Sequence, residues 1–408
     1  MSATMPYPKK ILPFTIVLTM IILFWLFKST FLDRRWIIAY EAVPRHRPAH
    51  PIYQGKKKVH QPQAPFVSGS AKPPGEIYTR MLVIPRTKKE DVSWIDKKLK
   101  ADANIQSTIY TVNDPTAENH PPRNKGHEVM VYISYIIDNY HNLSDVTIFM
   151  HSHQHAWHNN YLLDNDAAQM VARLSSERVM REGYMNLRCD WNPGCPAWMR
   201  PGTLEEDINK QEEVLLARSW SELFPLDAMP KVLAQPCCAQ FAISRERIRT
   251  LPLAKYVFYR DWLLKTKLPD FISGRVWEYV WQFVFTGKNV VCPKEHVCLC
   301  DGFGVCFGGE KELKEWYTKD EEWKGLERLL EINSKQVEET KALMDEGKQQ
   351  EAEALGIPDV GREEELKKQI EKLQAWCKKR KEEAKVHGDV ASNRAKEAGR
   401  KWKDGDGF

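Results

Sequence analysis

Hydrophobic and polar positions divide this chain into stretches of different character. From Ile11 to Phe27 every residue is uncharged and apolar except two threonines, with Lys9-Lys10 before the run and Lys28, Arg34 and Arg35 after it. At ~1.5 Å rise per residue, a helix of this length just crosses a thin bilayer. The exit, Phe27-Lys28-Ser29-Thr30-Phe31, has no small-x-small cleavage pair, which favours a retained signal-anchor over a removed signal peptide. Pro44, Pro48, Pro51, Pro62, Pro65, Pro73 and Pro74 then break every period, so residues 28–76 read as an extended stem.

Regular patterning starts near Ile77. Arg80–Pro85 is a short apolar run suited to a buried strand, and Val92, Ile95 and Leu99 share one helical face. Ile105–Val112 is a second β-branched run. Glu128–Tyr140 returns to helix, with Val129, Tyr132, Ile133, Ile136 and Tyr140 on one side, and Val146–Met150 is a third strand. This alternation predicts an α/β domain with a mostly parallel sheet. Ligands in such sheets sit beyond the carboxyl ends of the strands, so the loops after Ile84, Val112 and Met150 matter most. Further on, Gln240–Ser244 reads as a strand ending in a serine cap, and Ser273–Phe285 as one aromatic helix with Trp277, Trp281 and Phe285 at i, i+4 spacing.

From Glu310 the composition shifts to Lys, Glu, Gln and Ala. Trp316, Trp323, Leu330, Val337 and Met344 recur every seven residues, while the companion positions hold Lys319, Leu326, Asn333 and Thr340. One good stripe and one poor one favour an amphipathic helix, open to a helical partner, over a committed coiled coil. Gly356-Ile357-Pro358 and Gly361 interrupt it, Leu366, Ile370, Leu373 and Cys377 restart it, and Lys403–Phe408 is expected to fray. The expected organisation is a tail (1–10), a transmembrane anchor (11–27), a stem (28–76), an α/β domain (77–309) and a charged helical tail (310–408).

Cysteine usage suggests the compartment. Eight of the nine cysteines fall between Cys189 and Cys306, an even cluster that suggests disulfides formed in an oxidising lumen. Cys189 with Cys195, and the Cys292–Cys306 group, are the natural local pairs. The spacing lacks the short C-x2-C pincers of a zinc site. Asn142-Leu143-Ser144 is an unblocked glycosylation sequon. A single-pass type II protein in the membrane of the endoplasmic reticulum or Golgi follows, with its body in the lumen. The net charge of +5 over 408 residues, without a basic stripe, excludes a nucleic-acid partner.

Four positions carry candidate chemistry. His151, His153 and His155 alternate after the third strand, followed by His158, a donor set suited to a divalent ion such as Mn²⁺, or simply a polar loop. Asn124-Lys125-Gly126 opens the helix at Glu128, where free N–H groups at a glycine-kinked start attract phosphate, unless it is an ordinary helix entry. Glu278 lies among buried aromatics, where a carboxylate either finds a partner such as Arg275 or gains a raised pKa suited to base work. Arg245 faces either an anionic ligand or solvent.

Together, Glu90-Asp91-Val-Ser-Trp94, Asn124-Lys-Gly-His-Glu128, Tyr135–Tyr140, Asp145–Phe149, Gln240–Arg245 and Glu278–Trp281 resemble the fungal domain of unknown function 3431 family over roughly Met81 to Gly309. This chain departs from many members in having Lys88-Lys89 before the acidic pair, His127 for an arginine, and His151-Ser-His153 for a glutamine-glycine-histidine loop. More distantly, the layout is similar to three-layer GT-A nucleotide-sugar glycosyltransferases. That similarity implies nucleoside contacts from Glu90 or Asp91 and Asp114, a metal at His151 and His153, and Glu278 as the base. No Asp-x-Asp ends the third strand, which leaves open a transferase that uses basic residues such as Lys125 or Arg245. The leading expectation is a transferase acting on a nucleotide sugar and a glycan acceptor. The rivals are an inactive lumenal scaffold and a histidine-metal hydrolase.

Overall fold

The computed structural model describes residues 72–73, 75–356, 359 and 361–408. The apolar run 11–27 lies outside them, and among the described residues no helix is long and apolar enough to cross a membrane. The described residues all belong to one compact unit, 60–408.

The first half alternates as the patterning predicts: β1 (Arg80–Arg86), α1 (Trp94–Leu99), β2 (Ile105–Thr111), α2 (Val129–Asn139) and β3 (Val146–Phe149). β1 pairs in parallel with both β2 and β3. After a 3-10 turn at Tyr161–Leu163 come α3 (Ala167–Arg173), α4 (Ser176–Glu182), β4 (Tyr184–Asn186), α5 (Glu213–Leu223) and β5 (Phe241–Ser244). The sheet order is β2-β1-β3-β5-β4, and β5 runs antiparallel to both its neighbours. Four strands therefore point one way. Phe149 faces Phe241 and Val146 faces Ser244, so β5 begins at the edge where β3 ends.

Period-2 alternation sends side chains to two cores. On one face Val83, Phe149, Phe241 and Ile243 pack with α2 and with Trp277, Trp281 and Phe285. On the other, Leu82, Ile84, Ile148 and Ala242 pack with Trp94, Ile95, Leu99, Met170 and Val179. Helices thus cover both sides of the sheet, giving three layers.

Ser244 ends β5 and caps α6 (Arg245–Arg249), its hydroxyl accepting from the Arg247 N–H at 3.2 Å. α7 (Leu253–Lys265) follows. The aromatic segment is two helices rather than one, α8 (Asp270–Glu278) and α9 (Trp281–Thr286). The break between them holds because buried amides satisfy the freed carbonyls: Gln235 Nε2 donates to Glu278 O at 2.5 Å and Gln282 Nε2 to Tyr279 O at 2.8 Å.

All eight clustered cysteines are paired, and only Cys377 is free. Cys300 bonds Cys306 locally, but Cys189 and Cys195 do not bond one another. They reach Cys298 and Cys292 across 109 and 97 residues, tying the segment after β4 to the strand-like stretch and start of α10 (Glu295–Phe303). Cys237 bonds its neighbour Cys238.

The charged C-terminal part is α11 (Glu310–Asp345), α12 (Gln349–Leu355), α13 (Arg362–Gly388) and α14 (Ala391–Glu397). The break before α13 falls at Gly356 and Gly361, as the sequence indicates, while the interruptions at Glu346–Lys348 and Asp389–Val390 were not expected. α11 and α13 pack on each other, and Trp316 Nε1 donates to Cys377 O at 2.9 Å. The roots of both helices join the body, since Leu313, Trp316, Cys377 and Ala384 are buried in the second core. The terminus does not fray: Arg181 donates to Phe408 O at 2.7 Å and the Arg394 guanidinium lies 4.3 Å from the Phe408 ring.

Candidate functional site

The carboxyl ends of β1, β2 and β3 converge on one cleft of about 400 Å³. Arg86, Thr87 and Glu90 reach it from the loop after β1, Val112 from the end of β2, Asn124, His127 and Glu128 from the start of α2, His151, Ser152, His153 and His158 from the loop after β3, and Asp270 from α8. The three loops singled out by the strand pattern are those that meet.

Two side chains from outside these loops set their shape. Trp94, buried on α1, donates from Nε1 to Ser152 O at 2.8 Å. Gln240, at the entrance to β5, accepts from the His151 N–H at 3.1 Å and donates to Asn159 at 3.0 Å, and Asn159 in turn bonds Gln154 O and Asn165 O. The histidine turn is therefore fastened along its length.

Within the turn, His151 and His158 form a pair, Nδ1 to Nε2 at 2.9 Å. Burial pushes His151 down to about 3 and His158 down to about 4, so both rings are neutral at physiological pH. The Nε2 of His151 is shut from solvent and lacks a hydrogen-bond partner among the described residues. His153 is exposed and lies 3.7 Å from Glu90. Burial would raise the Glu90 carboxyl, but hydrogen bonds from the Thr87 N–H (2.5 Å) and from Ser152 outweigh it and hold it below the ordinary range. His155 does not line the cleft; it forms an isolated bridge with Asp166. His158 stands in its place.

Donor atoms test the metal expectation. Among the described residues, the triads whose donor atoms lie within 4.8 Å of one another are Cys237, Cys238 and Glu278, and Cys300, Cys306 and Glu397. Their cysteines are in disulfides, and neither triad includes the histidine turn. As placed, the cleft residues do not form a ready three-ligand cage for a divalent ion.

Glu128 is the carboxylate that sequence reasoning passed over. It sits at the kink into α2 and lines the cleft. Desolvation, reinforced by the nearby charges of Glu278 and Asp270, pushes it up to about 8. Its signal was the same glycine kink that drew attention to Lys125 and Gly126. Glu278 itself does not line the cleft; its Oε1 accepts from the Cys238 N–H at 2.6 Å, and burial raises its pKa. Backbone strain gathers here: His127, Cys238 and Ala239 all have positive φ.

The remaining expected contacts are distributed as follows. Asn124 lines the cleft. Lys125 donates to Leu268 O, and the Gly126 N–H donates at 2.5 Å to the Asp270 carboxylate, which fills the place reserved for phosphate. Asp91 is bound to the Ser93 N–H and hydroxyl, which hold it below the usual range. Asp114 is held down to about 2, chiefly by the Thr116 hydroxyl and by Lys88 at 2.9 Å, a pair linking the β1 and β2 loops. Arg245 lies at the opposite edge of the sheet, because the antiparallel β5 carries it away from the cleft. There it pairs with Asp145 at 3.0 Å. Asn142 is exposed in the turn before β3, also away from the cleft. Of the cationic residues, Arg86 faces the cleft with an Nε that lacks a hydrogen-bond partner among the described residues.

A family model described as "Protein of unknown function (DUF3431)" matches residues 82–301, from β1 into α10. No curated protein and no solved structure matches the chain.

Proposed function

Because the chain belongs to the family of that description, which assigns no activity, we propose a function from the site: transfer of a sugar from a nucleotide donor to a hydroxyl of a glycan or glycoprotein. The observation that carries this reading is a proton-holding carboxyl, Glu128, which lines, with Arg86, a cleft built by three convergent strand ends. Dinucleotide and nucleotide sites in open α/β sheets occupy this position. Glu128, deprotonated, takes the acceptor proton as the acceptor oxygen bonds the anomeric carbon. The bond from that carbon to the donor phosphate breaks, and its electron pair leaves with the nucleoside diphosphate. Arg86 neutralises the departing charge. No step is routed through a metal.

This assigns the base to Glu128 and gives Glu278 a supporting part: its charge raises Glu128, and its carboxylate holds the strained Cys238 turn. Four disulfides and an exposed Asn142 sequon support a lumenal body, and the apolar run 11–27 supports its anchoring as a type II protein of the Golgi or endoplasmic reticulum.

The test uses the full-length chain in detergent against a panel of nucleotide sugars. One of them is expected to be consumed, and Glu128→Gln to lower kcat by roughly 10²–10⁴-fold while nucleoside diphosphate binding is kept. Absence of any thermal shift with every nucleoside diphosphate would sink the transferase. Full turnover in the variant would remove Glu128 from the chemistry.

A further inference from the structure

A second cavity, of about 340 Å³, lies between the segment after β4 and the first turns of α11. We propose that it binds a neutral oligosaccharide. Its size falls within the roughly 300–1,000 Å³ of small-molecule sites. Trp191 and Tyr317 line the cavity with Glu295, Glu310, Lys294 and Lys314, and Lys294 pairs with Glu310 at 3.3 Å. Two carboxylates and two ammonium groups offset one another, so the cavity has no net charge with which to select an ion. What remains is aromatic surface edged by hydrogen-bonding groups, the complement of a pyranose ring with its C–H face and its hydroxyl rim.

A buried group points to an occupant. His296 lines the cavity and is 8 % exposed, yet its Nδ1 has no hydrogen-bond partner among the described residues. A buried polar atom of this kind is normally satisfied by water or ligand. The walls are rigid before anything binds. The Trp191 N–H donates to Glu295 at 2.8 Å and its Nε1 to Pro293 O at 2.7 Å. The disulfides Cys189–Cys298 and Cys195–Cys292 clamp both sides of that loop. Preorganisation of this sort lowers the ordering cost of binding.

A chain of contacts links the cavity to the cleft. β4 points the same way as β1 and β3, so Trp191 emerges at the edge where their loops converge. Trp157, 66 % exposed, stands between them: its ring lies 5.6 Å from that of His158 and 5.1 Å from the buried Arg188 guanidinium. Arg188 in turn pairs with Asp190 at 3.2 Å, next to Trp191. An oligosaccharide seated in the cavity reaches the cleft across this tryptophan. Its role as the acceptor rests on the transferase reading; its binding does not.

The test titrates the full-length chain in detergent with maltotetraose, chitotetraose and a high-mannose N-glycan by saturation-transfer NMR, with heparin tetrasaccharide as a charged probe. At least one neutral probe is expected to bind, and Tyr317→Ala to weaken it tenfold or more while the thermal shift with nucleoside diphosphates stays unchanged. Should Tyr317→Ala destabilise the fold, Lys314→Ala, at an exposed position on the cavity wall, decides, with a loss of affinity again expected. No binding of any neutral probe, preference for heparin, or unchanged affinity in the folded variants overturns the proposal. Oligosaccharide binding without any nucleotide effect defeats the transferase and leaves this site standing; the converse defeats this site alone.

Discussion

A carboxyl that keeps its proton to about pH 8 accepts one from an acceptor hydroxyl only once it has lost its own. Turnover through Glu128 is therefore expected to rise with pH and level off above about 8, a limb visible in kcat/KM profiles of the wild type. Stability moves in the opposite sense. The folded carboxyl holds its proton more tightly than the unfolded one, whose ordinary value is 4.5, so the native state binds the extra proton between the two values. Stability from this group is present at acid pH and lost as pH rises through about 8. Glu128→Gln should accordingly lose less Tm than wild type between about pH 5 and about pH 9 in calorimetric scans. His151 and His158 stay neutral in the fold throughout this range and should not shape the turnover profile, but their unfolded rings take up protons below the ordinary value of 6.5, so they lower the stability of wild type and variant alike as pH falls below about 6.5. Glu128 was hard to see in the sequence because a glutamate at a helix start already has an ordinary explanation, a favourable place on the dipole. Only the packing of α8 across it, with Asp270 and Glu278 nearby, turns that position into a desolvated one.

At the scale of elements, the turn into α2 has little tolerance. Gly126 has φ +73°, and a Cβ there would meet Leu263 Cδ2 at 2.8 Å; a Cβ on Gly274 in α8 would meet His127 Cδ2 at 2.6 Å. Gly126→Ala should cost about 1–2 kcal/mol or more in urea unfolding, from the left-handed backbone alone. Gly274→Ala should displace His127 and weaken ligand binding in the cleft more than it lowers stability. The strand-helix-strand alternation of the first half was legible because each element carries its own period. The direction of β5 was not, because Phe241–Ser244 reads alike in either sense and its orientation is set by pairing with β3. That single reversal moved Arg245 from the expected site to the far edge of the sheet. The split of the aromatic helix was hidden for a related reason: the glutamines that stabilise the break are supplied partly from Gln235, far away in sequence.

For the whole molecule, the charged C-terminal segment reads in sequence as an appendage, since lysine and glutamate dominate it. Its few apolar residues are nonetheless spent on the body, as Trp316 and Cys377 illustrate. Truncation after Gly309 should expose that core and yield aggregated protein in size-exclusion chromatography, whereas shortening the hairpin within α12 should not. Covalent linkage has a matching asymmetry. Cys195→Ser with Cys292→Ser, inside the intact Cys189–Cys298 bridge, opens a ring of about 15 residues whose closure is worth roughly 3 kcal/mol on the chain-entropy view. Cys237→Ser with Cys238→Ser opens almost none, so its cost in denaturant midpoint should be far smaller. No cysteine precedes Cys189, so β1, α1, β2, α2 and β3 carry no rivet at all. The molecule is thus bolted along one flank and merely packed along the other. Amide hydrogens of β2, an outer strand of the unbolted side, should exchange well ahead of those in β5, and that side is where the cleft must breathe to admit its visitor.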